Sequence, residues 1–115
     1  MTESDINALI GALADGQVYP YVVPLNAQGE SDVLPPWVVF SLPSDVMSDV
    51  FCGQAESAVT VQVDVYSRDM DEARAIRDQA QANLSVLGLE NISRFSMYEP
   101  ETQLHRATLE ASIIV

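Results

Sequence analysis

The side chains best suited to covalent or proton-transfer chemistry are scarce in this sequence: one histidine, His105, one cysteine, Cys52, and serines such as Ser41, Ser44 and Ser48. A nucleophile–base pair would have to join His105 to Cys52 or to a serine. None of these serines lies in a nucleophile-elbow pattern, and Cys52–Gly53 opens no C-x-x-C motif. His105 begins an alternating apolar segment, where a structural histidine is the simpler reading. Carboxylates are plentiful, and Asp69–Met70–Asp71–Glu72 starts like a calcium loop. It lacks the following glycine and the distal glutamate, and capping of a helix N-terminus accounts for it. The glycines are scattered near turns and helix ends, Gly11 excepted, so no phosphate-cradling loop is expected. The expectation is a chain with no catalytic residues, no cofactor and no metal.

Charge is the most unusual global feature. The formal net charge is −12, and every basic residue is an arginine: Arg68, Arg74, Arg77, Arg94 and Arg106. So acidic a surface repels phosphate, which argues against nucleic acid as a bound ligand. Two readings of the acidity stand side by side. It keeps the protein soluble, or it lines a passage or faces another subunit while the arginines serve bidentate pairing at contacts. No apolar run reaches the ~20 residues of a membrane span. The Met1–Asp5 start lacks the basic region of a signal peptide, so export is not expected. A lone cysteine excludes an intramolecular disulfide and fits a reducing compartment.

The elements are organised around Ala58–Tyr66. Val59, Val61, Val63 and Val65 alternate with Thr60, Gln62, Asp64 and Tyr66, which predicts a strand with one dry face and one wet or contact face. Burying the valines is worth about 6–12 kcal/mol at ~1.5–3 kcal/mol each. A helix is expected from about Met70, capped by Ser67 or Asp69, with Ala73, Ile76, Ala80, Leu84 and Leu87 on its inner stripe, an Arg74–Asp78 pair outside and Gly88 just past its end. Upstream, Thr2–Ala14 reads as a first helix with Ile6, Leu9, Ile10 and Leu13 on one side. Val18–Pro24 reads as a weak edge strand because Pro20 and Pro24 lack donors. Asn26–Asp32 is a polar loop, and Trp37–Leu42 is a strand that Pro43 closes. Downstream, Ile92–Tyr98 and Leu104–Val115 are strands joined by a Glu99–Thr102 turn. The fold class is therefore α+β, a mainly antiparallel sheet of four to five strands with two helices on one face, in the order α-β-β-β-α-β-β, within one domain spanning residues 1–115.

Residues 44–57 are longer than a tight hairpin requires and carry Val46, Met47, Val50, Phe51 and Cys52 interspersed with Asp45 and Asp49. They pack on their own domain, or they project as a hairpin whose apolar patch meets a neighbouring subunit.

Taken in order, the N-terminal helix, Val18–Tyr19–Pro20 with nearby Pro24, Leu34–Pro35–Pro36–Trp37–Val38–Val39–Phe40, Val61–Gln62–Val63–Asp64–Val65–Tyr66, Asp71–Glu72–Ala73–Arg74 and the closing Arg106–Ala107–Thr108–Leu109–Glu110 resemble the tail completion or tail terminator family of long-tailed bacteriophages and prophages. The resemblance spans nearly the whole chain and is weakest at 44–57. It implies a structural virion protein, assembled in the host cytoplasm, that caps the head-proximal end of the tail tube as a homo-oligomeric ring, commonly a hexamer. Its partners would be itself, the tail tube protein and a head–tail connector protein, with DNA passing through the lumen unread. Other neck or head–tail joining proteins share this architecture. From a different class, a small dimeric α+β ligand-binding protein or enzyme subunit fits the same elements. Candidate contact residues follow from strand geometry instead: Gln62, Asp64 and Tyr66 on the outer face of the central strand, Arg106 and Glu110 on that of the last strand, Val46, Met47, Val50 and Phe51 on the arm, and Arg68 and Arg77 as cationic partners or as ordinary solvated pairs.

Overall fold

A computed structural model of the protein describes residues 1–47 and 57–115. In chain order these form α1 (Glu3–Ile10), β1 (Val18–Pro20), β2 (Trp37–Met47), β3 (Ser57–Ser67), α2 (Met70–Leu84), β4 (Leu89–Glu99) and β5 (Leu104–Ile114). The five strands make one sheet in the order β1-β2-β3-β5-β4, antiparallel except for the β1–β2 pair. The α+β class and the element order expected from sequence are those observed.

Each element has a local cause. Thr2 caps α1 in a reciprocal box: its hydroxyl oxygen accepts from the Asp5 amide, and Asp5 Oδ2 accepts from the Thr2 amide at 2.8 Å. The helix stops at Ile10, four residues short of the expected end. Gly11 is its C-cap, so the glycine that had no expected turn marks a real one. A Cβ there would lie 2.6 Å from the Asn7 carbonyl oxygen. Helix α2 is capped by Asp69, whose carboxylate accepts from the Asp71 amide, and it runs through a 3-10 turn at Ser85–Leu87 into Gly88 in the left-handed region at φ 75°.

The four valines of β3 lie on one face and are buried, in register with Val38 and Phe40 of β2 and with Ala107, Leu109, Ala111 and Ile113 of β5. Ile6 and Ile10 of α1 and Ala73, Ala80 and Leu84 of α2 close over them as one core. The two small alanines let α2 approach the sheet closely.

Three features of the strands depart from expectation as well. Pro43 does not end β2: the strand continues to Met47, and the pairing with β3 shifts between Ser41 and Ser44, an irregularity that accommodates a residue without a donor N–H. Strand β4 begins at Leu89, with a second shift between Glu90 and Ser93. Strand β1 is parallel to β2, and a parallel pair requires a long return connection, which residues 21–36 supply.

Candidate functional site

Because side chains alternate, the core valines leave a second face that carries neither helix. It presents Thr60, Gln62, Asp64 and Tyr66 from β3, Trp37 and Val39 from β2, Arg106, Thr108 and Glu110 from β5, and Phe95 and Met97 from β4, as the registers Trp37↔Tyr66, Asp64↔Thr108, Tyr66↔Arg106, Phe95↔Thr108 and Met97↔Arg106 require. Asp64 is its buried polar centre. The Thr108 hydroxyl donates to Asp64 Oδ1 at 2.6 Å, Gln62 Nε2 donates to Oδ2 at 3.0 Å, and Arg106 Nε stands 4.0 Å from Oδ1. Arg106 thus approaches Asp64 across the strands, and Thr108 supplies the shorter contact. Arg106 also faces Glu99 at 3.5 Å and rests against the Met97 sulfur. Burial pushes the Tyr66 phenol above its ordinary pKa; Arg106 opposes that shift, and the carboxylates of Asp64 and Glu99 add to it.

Five of the residues singled out from sequence, Gln62, Asp64, Tyr66, Arg106 and Glu110, therefore share this face. Phe95 and Met97 join them, 52% and 44% exposed, although strand alternation alone did not say which face they occupy. Arg77 lies elsewhere. It is buried between α2 and β4, where Nη1 donates to the Phe95 carbonyl at 2.8 Å. Burial and the neighbouring Arg94 lower its pKa. The Arg74–Asp78 pair expected along α2 is not formed: Asp78 pairs with Arg94 of β4, and Arg74 reaches Ser96. Val46 and Met47 stand exposed at the end of β2; Val50, Phe51 and Cys52 fall outside the described residues.

The helix-free face is not open throughout. At the Trp37 end, residues 21–36 fold beside it and leave a groove of about 810 Å³, whose lining includes Tyr21, Leu34, Trp37, Tyr66, Arg68 and Leu104. Trp37 stacks on Tyr66 at 5.6 Å as its floor. The wall has structure of its own. Asn26 Oδ1 accepts from the amides of Gln28 and Glu30, Leu25 bridges Ser31, and Gln17 Nε2 donates to the carbonyls of Leu34 and Pro36 at 2.7 and 2.8 Å. Arg68 forms no ion pair within 4.0 Å among the described residues. The proline-rich sequence marked this stretch as irregular, and nothing in its local pattern shows that it walls a groove.

Chemistry-bearing groups do not converge here. His105 packs on Tyr98, 4.9 Å between ring centres, away from the groove and on the helix-bearing side of the sheet. Among the described residues no His, Cys, Asp or Glu cluster is arranged to hold a metal ion, and no helix is long and apolar enough to cross a membrane.

The family described as "Tail completion protein gp17" matches residues 1–115. No curated protein matches the chain. Among solved structures, a chain of "Virion of native gene transfer agent (GTA) particle" is similar over 99% of this chain and 87% of its own, at 17% identity and a TM-score of 0.45. That likeness is too loose to bear on function.

Proposed function

We propose that this chain, which belongs to the tail completion protein gp17 family of phage tail structural proteins, caps the head-proximal end of the tail tube as a ring, ending tube growth and offering a surface to the head–tail connector. The observation that carries the reading is the division of the sheet. Both helices serve the core from one side, and the other side presents a patterned face with a hydrogen-bonded Asp64 at its centre and exposed Phe95 and Met97 at its margin. Apolar groups flanking a polar network are what a subunit contact needs.

A six-membered ring would carry 6 × −12 = −72 formal charges. Its contacts must then rest on apolar surface and on arginines set among carboxylates, as Arg106 is. Acidity left over for a lumen would keep passing DNA from adhering. The test is imaging of purified tail tubes mixed with the protein, with native mass spectrometry of the released complexes. Rings of about six copies confined to one end of the tubes support the proposal. Tubes that keep elongating in its presence, with no ring at either end, defeat it. Binding to the connector without tube ends would instead place the chain among the neighbouring neck proteins.

A further inference from the structure

Three features of the molecule have no use within one subunit. The groove beside Trp37 has a mixed polar and apolar lining, and Tyr21, Val22 and Leu34 around it are 56%, 59% and 72% exposed. Arg68 lies at its margin without a carboxylate partner among the described residues. At the far end of the same strand, Asp45, Val46 and Met47 form an exposed acidic–apolar segment, with Val46 at 62% and Met47 at 65%.

The groove's lining reaches Val39 of β2 and the segment begins at Asp45, so six residues of extended chain, about 20 Å at ~3.3 Å per residue, separate the two. The pairing of β2 with β3 continues to Met47↔Ser57 and holds the segment out at that end. It cannot fold back into its own groove. A groove at one end and a complementary segment at the other make a heterologous, head-to-tail contact, the kind that closes into a ring when the rotation per copy allows. The complementarity is chemical as well: Val46 and Met47 match the apolar part of the lining, and Asp45 matches Arg68, the one cation among the described residues of a lining that also carries Glu30 and Glu101.

We infer that the groove lined by Tyr21, Leu34, Trp37 and Tyr66 receives the Asp45–Met47 segment of the next copy of this chain, with Asp45 pairing to Arg68. The inference rests on the ring reading and adds to it the specific surfaces that join neighbours. Gln17 and Asn26 tie residues 21–36 by hydrogen bonds, and a receiving wall ordered in advance loses less entropy on binding.

The test uses full-length protein assembled on tail tube ends. Arg68→Asp and Asp45→Arg are each expected to weaken assembly about five- to tenfold, and the double variant to recover to within about twofold of the parent. Both sites are exposed, so circular dichroism and unchanged thermal unfolding confirm that the variants fold. In a Cys52→Ser background, Met47→Cys combined with Leu34→Cys is expected to give intermolecular disulfides that run up to the full ring. Rings that form normally in both single variants and without cross-linking overturn this inference and leave the ring reading intact. Parent protein that makes no ring on tube ends overturns both.

Discussion

With the Thr108 hydroxyl 2.6 Å from one oxygen and Gln62 3.0 Å from the other, Asp64 is a buried carboxylate kept in place by neutral donors as much as by Arg106. Thr108→Val keeps the shape and removes the closest donor, so the folded state should lose about 1–3 kcal/mol, read as a lower urea midpoint with an unchanged slope. Nearby, the phenol of Tyr66 has its pKa raised by burial. Its contribution to stability is fully present below the ordinary tyrosine value of ~10 and is lost as pH rises through the higher folded-state value. Alkaline unfolding followed at the tyrosinate absorbance should therefore show a base limb that Tyr66→Phe flattens. At Gly11, a Cβ 2.6 Å from the Asn7 carbonyl forces backbone movement. Gly11→Ala should cost about 1–3 kcal/mol by the same urea measurement.

At the level of elements, β4 is held differently from the other long strands. Nine of its eleven positions are exposed, so little apolar burial secures it. Besides its pairing with β5 it is tied to α2 by polar links from Arg77, Arg74 and Asp78. Arg77→Met keeps much of the volume but leaves the Phe95 carbonyl without its donor. The expected outcome is a loss of about 1–3 kcal/mol, with amide exchange accelerated in β4 before β3. Strand β3 was legible in advance because its burial is two-valued: four valines in strict alternation have only one good orientation. The Arg77 position was not. An arginine on the inner stripe of a helix reads as an exposed cation until the backbone carbonyl it meets, 18 residues away in sequence, is brought beside it.

For the whole molecule, the decisive quantity is the charge. Like-charged copies repel over a Debye length of about 30 Å at 0.01 M ionic strength and only about 8 Å at 0.15 M. Self-association on tube ends should therefore strengthen as salt or divalent cations are added, measured as the fraction of capped tubes against ionic strength. Rings that dissolve as salt rises would show that ion pairs, not apolar contacts, dominate the joints. The elongated shape bears on the same assembly. The radius of gyration is 15.3 Å, against roughly 13 Å for a compact domain near this size, which in the proposed ring would put distant surfaces of one copy within reach of different neighbours.

Periodicity and caps settled the class, the order of elements and the apolar side of the sheet, because those properties depend on residues two to four positions apart. The acidity was likewise legible from residue identities alone. Three things required the chain to be folded: the parallel seat of β1, the face on which Phe95 and Met97 emerge, and the groove between residues 21–36 and the Trp37–Tyr66 stack. Each depends on register between strands far apart in sequence, and a shift of one residue there exchanges the two faces while leaving every local pattern unchanged.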